Sequence, residues 1–575
     1  MKALADCLLA FELRGLDGEA YDSAREVEAE NIQLLLKQDA DNTDIPLLAQ
    51  RCPALAQYAA EQLSGCRRFQ WPAEFPEVFA RGGFDSFIGN PPFMGGSKIT
   101  ISTSSEYREL LVKVIAFGER GKADLCAYFL LRVKDLLRSK GYFGLVATNS
   151  ISQGDTRRIA MERIAERDSA IYRAETNRQW PGAAGVTVSL VWACKGSWNG
   201  NFTLDSKPCG RITSFLTQDA IASSPFTLAS QEGKAFRGTE PKGLGFVLEF
   251  HEAEDLLQVN PRNADIIFPY LTGQDLYSRP DQSSSRKIID FSEWPLEKAQ
   301  GYPEPFERVK RLVKPYRDTI TKQIHEPDYW KFWDKRLDKY EMISSLARVL
   351  ARSYCGNMHA LAFLPLGIVY DTSVVVFGIS SYEGFAVLQS SLHEIWARFF
   401  GPAAMRTDMR YATKLCFETF PFPQHFSFIG EQPAGALGVT ARSYYETRAS
   451  LMALRGEGLT QTYNRLHNPG EKSEDVVRLR TLHLNLDQAV AAAYGWKELD
   501  LGHGFHQTKQ GLRYTISESA RREVLERLLV LNHQRHAEEK AEEMLLGKQP
   551  KATGKRGRNK ADAAPNPITL PFDKE

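Results

Sequence analysis

The feature that most constrains this sequence is an apolar run that stops at two adjacent prolines. Residues Phe84 to Gly89 have the composition of a short buried strand, and Asn90-Pro91-Pro92-Phe93 follows directly. Proline lacks the N–H that a strand's hydrogen-bond ladder requires, so the chain must leave the sheet at Asn90. The sequence therefore predicts a rigid loop at the carboxyl end of a strand, where open α/β sheets place their chemistry.

The groups on this loop suit a flat heterocycle that carries an exocyclic amine. Such an amine is a poor nucleophile because its lone pair is delocalised into the ring, and two acceptors on its N–H bonds would restore density on nitrogen. The side-chain carbonyl of Asn90 and the backbone carbonyl of Pro91 are candidates, and Phe93 can stack on the ring. The alternative is an ordinary turn, since Asn and Pro both favour turns.

The residues that follow predict further α/β elements. An apolar helix opens at residues 121–131 and is predicted to end near Gly141, residues 142–149 predict a buried parallel strand, and residues 186–192 predict an alternating strand. Strand, loop, helix and strand in this order indicate a doubly wound sheet. Trp180 precedes the last of these strands.

In these motifs the chain resembles the amino-methyltransferases that act on DNA adenine. It is most similar to the large fused methylases of type IIG-like restriction–modification and phage-defence systems. The resemblance runs from about residue 60 to about residue 500, and its most specific part is Asn90 to Phe93, which matches the family's catalytic motif.

The resemblance implies S-adenosylmethionine as the methyl donor and an adenine extruded from duplex DNA as the acceptor. It implies no metal. The implied site residues are Asn90, Pro91, Pro92 and Phe93 in catalysis, Phe93 and Trp180 in base stacking, and Asp124 and Phe129 in the donor pocket.

One element of the family pattern is missing from the sequence. The family binds its donor through a loop of the kind Asp-Pro-x-x-Gly-x-Gly ahead of the catalytic loop, whereas residues 1–80 contain no such loop and predict helices at 3–13, 21–37 and 45–63. We therefore expect an incomplete donor pocket, because the N-terminal cofactor-binding strands are lacking. A separately encoded N-terminal methylase or nuclease part, or a broken gene, would explain it.

The predicted fold class is α/β, with a partial doubly wound, Rossmann-like methyltransferase sheet. An α+β target recognition domain and a helical C-terminal region are expected to follow. The predicted domains are a helical lead-in (1–80), the catalytic half of the methyltransferase domain (81–198), the recognition domain (199–425), the helical region (426–546) and a disordered basic tail (547–575).

Net charge does not reveal the DNA-binding surface. The 72 basic and 71 acidic residues give +1, so contacts to double-stranded DNA must come from local patches. A basic stretch at residues 308–322, predicted as a helix kinked at Pro315, could follow phosphates or be a solvated helix face. Four arginines in segments predicted as strands or loops could read guanine, or have structural roles. They are Arg348, Arg352, Arg406 and Arg410.

Composition also limits the setting of the protein. The eight cysteines show no metal-ligand spacing and are expected to be free thiols in a reducing compartment. Asp6 and Glu12 interrupt the N-terminal apolar run, so no signal peptide is predicted. No stretch reaches the roughly 20 apolar residues of a membrane span. We expect a soluble cytoplasmic protein without a membrane partner.

The sequence thus predicts a site-specific adenine-N6 DNA methyltransferase of a restriction–modification or phage-defence system, in truncated or split form. Whether this chain is active alone is left open. The alternative is a DNA-binding specificity module, or an inactive remnant, without catalysis.

Overall fold

The computed structural model describes residues 69–545, with gaps at 166–167, 181–186, 219–223, 321–327, 403–407, 425, 431, 433–434 and 509, and scattered residues before 69. They form two compact units, unit 1 up to residue 218 and unit 2 from residue 224. The predicted basic tail and most of the predicted N-terminal helices lie outside the described residues. No helix among the described residues is long and apolar enough to span a bilayer.

Unit 1 is built on a six-stranded sheet of order β1-β2-β4-β3-β5-β6. β1 pairs in parallel with β2, and β4 lies antiparallel between β2 and β3. The strands are β1 (Phe84–Gly89), β2 (Leu137–Thr148), β3 (Ser169–Gln179), β4 (Thr187–Lys195), β5 (Phe202–Leu204) and β6 (Lys207–Cys209). The predicted strands at 142–149 and 186–192 are confirmed within β2 and β4, whereas β3 was not predicted.

Between residues 69 and 218, the described part of unit 1 contains seven α-helical segments, of which α5 is the longest. They are α1 (Trp71–Glu74), α2 (Pro76–Ala80), α3 (Gly96–Ser102), α4 (Ser105–Leu110), α5 (Leu125–Leu136), α6 (Gly154–Thr156) and α7 (Glu162–Ile164). Single π-helical turns follow α4 (Leu111–Ile115) and α6 (Arg157–Met161), and a 3-10 turn follows β2 (Asn149–Ser152). The prediction that α5 runs to about Gly141 was wrong, because the chain enters β2 at Leu137.

The two faces of the unit 1 sheet differ in burial. Phe143 and Leu145 of β2 and Val191 of β4 lie in one core with residues of α3, α5 and α7. On the opposite face Ile88 is 91% exposed and Tyr142 is 42% exposed. β1 is also an edge strand, since it pairs with β2 alone among the described strands. The α/β fold class is confirmed, with helices packed on one face of the sheet.

Unit 2 has an α+β part built on two four-stranded sheets, of order β14-β9-β10-β8 and β13-β11-β15-β7, and on a two-stranded pair, β12-β16. Its strands are β7 (Ala235–Arg237), β8 (Val247–Leu248), β9 (Ile267–Leu271), β10 (Arg286–Ile289), β11 (Arg348–Ser353), β12 (Cys355–Gly356), β13 (Ala362–Pro365), β14 (Val369–Tyr370), β15 (Val374–Phe377) and β16 (Met409–Arg410). Its helices are α8 (Phe250–Val259), α9 (Gly273–Ser278), α10 (Leu296–Gln300), α11 (Pro303–Leu312), α12 (Lys314–Ile320), α13 (Leu337–Ile343), α14 (Tyr382–Gln389), α15 (Ser391–Phe400) and α16 (Thr413–Cys416).

The rest of unit 2 is mainly helical. It contains α17 (Gly435–Arg455), α18 (Leu459–Leu466), α19 (Glu474–Ala493), the hairpin β17 (Gly504–Thr508) and β18 (Gly511–Thr515), and α20 (Glu518–Leu545). The predicted helical C-terminal region is confirmed. The predicted kink at Pro315 is instead a break between α11 and α12, with Pro315 in the first turn of α12, where its missing N–H costs no helical bond.

A buried arginine fixes the protonation of a buried histidine in unit 2. The Arg352 guanidinium donates to Nδ1 of His359 at 2.7 Å, so Nε2 carries the proton and donates to the Leu388 carbonyl at 2.5 Å. Burial lowers the pKa of His359 to about 3, and burial likewise lowers the pKa of His467 to about 3. A second proton on His359 would face the positive charge of Arg352.

Unit 2 should therefore lose stability in mild acid. Because the pKa of His359 lies below its unfolded value, the unfolded chain binds more protons as pH falls from about 6.5 towards 3, and stability drops over that window. Thermal unfolding of the full chain between about pH 7.5 and about pH 5 measures this. His359→Gln should flatten the pH dependence, whereas replacing the exposed His251 should not. If the pH dependence of thermal unfolding were unchanged in His359→Gln, His359 would not be its source.

Candidate active site

The Asn90–Phe93 loop leaves the sheet where the sequence predicts it, since β1 ends at Gly89. Pro91 is buried and Phe93 is half-buried against the unit 1 core, whereas Asn90 is exposed. The Asn90 amide makes no hydrogen bond within the described part of the chain. The loop is thus anchored next to a free amide group, and the side-chain oxygen of Asn90 can accept a hydrogen bond from a ligand.

Two backbone contacts fix the far end of this loop to the start of α5. The Met94 N–H donates to Oδ1 of Asp124 at 3.3 Å, and the Met94 carbonyl accepts from the Leu125 N–H at 2.9 Å. Met94 follows Phe93 directly, so the loop spans only the distance between the end of β1 and the first turn of α5.

Gly96 allows the close approach that these contacts need. A Cβ at Gly96 would overlap the Lys122 backbone and lie 2.6 Å from the Ala123 carbonyl oxygen. Any larger residue would push the chain after the loop away from the chain before α5. The sequence signal was the Gly95-Gly96 pair after the loop, which sequence reasoning did not use.

Asp124, expected in the donor pocket, is a buried helix cap. Its Oδ1 accepts from the Cys126 N–H at 3.1 Å as well as from Met94. Its Oδ2 accepts no bond from any described residue. Phe129, one turn further along α5, is 39% exposed. Asp124 thus leaves one carboxylate oxygen for a ligand, with an exposed ring on the same helix.

The thiol beside this cap is not a nucleophile. Burial, and next the Asp124 carboxylate, raise the pKa of Cys126 to about 12. Its Sγ lies 3.7 Å from Oγ1 of Thr148 at the end of β2. A buried thiol that stays protonated at neutral pH is a poor nucleophile.

Trp180 lies at the same end of the sheet as Asn90. The register pairs Gly89 with Leu145, Thr148 with Val188 and Gln179 with Thr187, so β1 and β2 end where β4 begins and β3 ends. Trp180 follows Gln179 and is half-buried. Three strand spacings, about 14 Å across the sheet, separate β3 from β1. Its connection to β4 lies outside the described residues.

The four candidate base-reading arginines of unit 2 have different environments. Arg352 is fully buried, and its bonds to His359 and to the Ser353 carbonyl argue against a role in reading bases. Arg348 donates to the Ser380 carbonyl at 3.0 Å and lies over the Phe363 ring. Arg406 lies outside the described residues. Arg410 is exposed on β16, and its side chain has no partner in the described structure.

The basic stretch at 308–322 is mostly occupied by internal contacts. Arg308 pairs with Glu252 at 2.8 Å, and Arg317 is buried and donates to the carbonyls of Pro241 and Lys331. Lys310 and Lys314 pair with acidic residues of their own helices. Of the basic residues described in this stretch, only Arg308 and Arg317 are thus engaged with other parts of unit 2, whereas Lys310, Arg311 and Lys314 are exposed.

No cluster of histidine, cysteine and acidic side chains that could hold a metal ion occurs among the residues described above. Cys126 and Cys416 are buried free thiols, and Cys355 is an exposed one.

Comparisons with known families match both units of the chain. The Eco57I restriction-modification methylase model matches residues 19–170, and the model of the MmeI target recognition domain matches residues 222–424. These two matches identify a restriction–modification methylase domain followed by a target recognition domain. Unit 1 thus contains a methylase domain, and unit 2 begins with a recognition domain.

Two relatives extend this finding. DNA methyltransferase A of Bacillus subtilis (strain 168) is 22% identical over 459 residues, which are 75% of this chain and 48% of that protein. The structure of the type IIL restriction-modification enzyme MmeI in complex with DNA superimposes with a TM-score of 0.61 at 17% identity. It covers 84% of this chain and 63% of that one, so the two share a fold. The chain spans about half to two thirds of the lengths of these two proteins.

Substitutions at the exposed Asn90 and at the closely packed Gly96 should differ in their effect on the free energy of unfolding. Asn90→Ala should change the free energy of unfolding by less than about 0.5 kcal/mol, because the amide is exposed and unbonded. Gly96→Ala should cost about 1–3 kcal/mol, because its Cβ overlaps the Lys122 backbone. Urea unfolding of both variants measures the difference. A destabilised Asn90→Ala with an unaffected Gly96→Ala would contradict this geometry.

Proposed function

We propose that this chain carries the base-binding half of an adenine-N6 DNA methyltransferase in a restriction–modification or phage-defence system. The observation that supports it most directly is the free, exposed amide of Asn90, which lies between the end of β1 and the buried Pro91. A merely structural Asn in a turn usually bonds its own backbone, which Asn90 does not do.

In the proposed reaction the residues of the loop act on the amine of an extruded adenine. The Asn90 side-chain oxygen and the Pro91 carbonyl accept its two N–H bonds, which localises the lone pair on nitrogen. Bound S-adenosylmethionine would supply the methyl carbon to this amine: the carbon–sulfur bond would break with its electron pair staying on sulfur, which would leave as a neutral thioether, and the proton lost by nitrogen would pass to water. Phe93 and Trp180 stack on the base and hold it outside the duplex.

S-adenosylmethionine is the proposed donor and supplies an electrophilic methyl group on a sulfonium sulfur. Among the described residues, Oδ2 of Asp124 and the exposed ring of Phe129 are suited to contact it. They fit only part of the donor, because residues 1–80 offer no glycine-rich loop for its carboxylate and ribose. The chain on its own should therefore bind the donor weakly.

The free edge of β1 supports a partner that completes the site. β1 has no second neighbour among the described strands, and Ile88 beside that edge is 91% exposed. An exposed apolar edge is a liability unless another strand covers it. We place the donor-binding strands there, where they would add to the sheet beside β1.

A second candidate is a DNA-binding specificity module without catalysis. The missing glycine-rich loop favours it, since a methylase without its donor site could still use unit 2 to recognise DNA. The two candidates predict opposite results once a donor-binding partner is supplied.

Recognition of the DNA sequence is proposed to use Arg410. It is exposed on β16, which pairs with the exposed Cys355 of β12, and a free guanidinium can donate two parallel bonds to guanine. Arg348 and Arg352 are less suited because both are held by internal carbonyl groups.

Methyl transfer from tritiated S-adenosylmethionine to unmodified DNA tests the activity, with the chain alone and with the product of an adjacent methylase gene. We expect N6-methyladenine, identified by mass spectrometry of nucleosides, with the partner present. Asn90→Ala should reduce the rate about 100-fold, because one of the two acceptors on the amine is lost. Asn199→Ala, which alters an exposed Asn away from the loop, is the matched control. DNA binding without transfer in either mixture would favour the specificity module.

Arg410→Ala should weaken binding to the cognate DNA by about 1–3 kcal/mol and relax the preference at one base pair. Binding-site selection from a random duplex library, followed by titration of the selected duplex, measures both effects. Arg442→Ala, which removes an exposed arginine from α17, should leave both unchanged. Uniform weakening on all sequences would instead assign Arg410 to a phosphate contact.

A further inference from the structure

The chain between α4 and α5 is held by side chains from other elements. Arg108 of α4 donates to the Gly96 carbonyl at 2.8 Å and to the Gly121 carbonyl. One guanidinium thus joins the chain after the Asn90–Phe93 loop to the chain before α5. Its planar fork can satisfy two carbonyls at once, which a lysine cannot do in the same geometry.

Two residues of α6 hold the same segment from the other side. Oδ2 of Asp155 accepts from the Lys122 N–H at 2.7 Å, and Oγ1 of Thr156 accepts from the Asp124 N–H at 3.2 Å. Gly121 lies against Asp155, since a Cβ there would be 2.7 Å from its carboxyl carbon. Alternate N–H groups of residues 122–124 are therefore fixed by neighbouring side chains.

Arg158 completes the arrangement. It pairs with Asp155 at 3.3 Å, donates to the Arg120 carbonyl at 2.5 Å and pairs with Glu119. Arg158 lies in the π-helical turn Arg157–Met161, a geometry that shifts side chains relative to a regular helix. Because these charges are partly exposed, the ion pairs alone are weak, and the bonds to backbone groups matter more.

These contacts converge on the candidate site. Residue 124, whose N–H is held by Thr156, is the residue whose carboxylate holds Met94. Gly96, whose carbonyl is held by Arg108, packs on Lys122 and Ala123. A shift of residues 121–124 would therefore move both the end of the Asn90–Phe93 loop and the cap of α5.

We propose that Arg108 and Asp155 are positioning residues that set the distance between the Asn90 amide and the donor-contacting start of α5. This inference rests on the proposed function. Neither side chain touches the reacting atoms, and both act through the backbone of residues 121–124. Transfer between two bound groups is sensitive to their spacing, so loss of either residue should slow the reaction while the binding of DNA persists.

A matched ion pair on the same segment provides the control. Arg120 and Glu109 form a two-bond pair at 2.7 and 2.8 Å, with side chains 68% and 42% exposed. Neither of these two side chains contacts Met94 or Gly96 among the described interactions. Glu109→Ala should therefore remove an ion pair of the same chemistry without moving the site.

Hydrogen–deuterium exchange of the full chain tests the coupling without any activity. In Asp155→Ala, exchange should rise about five- to tenfold at the amides of Lys122 and Asp124 and also at Met94. Asp155→Asn, which keeps an acceptor for Lys122, should show a smaller rise, and Glu109→Ala none. Peptides of β4 report on global unfolding. If Asp155→Ala also raises exchange in β4, the exchange at Lys122 and at Met94 is compared in Asp155→Asn and Arg108→Lys instead. A rise confined to Lys122, with Met94 unchanged, would overturn the proposal.

The kinetic test uses the active mixture. Arg108→Lys and Asp155→Asn should lower kcat about tenfold and leave the KM for DNA within about twofold. A rise in KM at unchanged kcat would assign these residues to binding and overturn the positioning role. If the wild-type chain transfers no methyl group with any partner, the proposed function fails, whereas the exchange of Met94 still decides whether Asp155 holds the loop.

Discussion

The joint between Met94 and the cap of α5 is the contact on which the rest of the candidate site depends. One carboxylate oxygen of Asp124 accepts from the first turn of α5 and from the residue after the Asn90–Phe93 loop. Because Asp124 is buried, these bonds are protected from competition with water. The loop and the helix therefore cannot move independently, and the free amide of Asn90 is presented from a rigid base.

The unit 1 sheet has one face covered by helices and one edge, at β1, that no other described strand pairs with. Helices cover Phe143 and Leu145, whereas Ile88 on the opposite face is exposed beside an edge strand without a second neighbour in the described structure. Parallel strands normally have both faces buried, and the pair of β1 and β2 at this edge is parallel.

Local signals predicted the elements that carry the site, and non-local contacts explain what was missed. The prolines at residues 91 and 92 predicted the end of β1, and long apolar runs predicted α5 and β2. β3 was missed because its sequence is largely polar, with an outer half of Thr176 to Gln179. Arg352 was a candidate for DNA because it lies in a segment predicted as a strand or loop, where a guanidinium could bind guanine. Its burial depends on contacts with His359 and Tyr411 that no local pattern shows. Asp155 acts on Lys122 across 33 residues, a pairing that no local pattern marks.

The most direct measurement is a structure of the chain bound to duplex DNA, with its donor-binding partner and a non-transferable analogue of S-adenosylmethionine. We expect one adenine outside the base stack, with its amino nitrogen within about 3 Å of both the Asn90 side-chain oxygen and the Pro91 carbonyl oxygen. DNA bound with every base stacked, or an extruded base far from Asn90, would contradict the central claim that this loop binds the reacting amine.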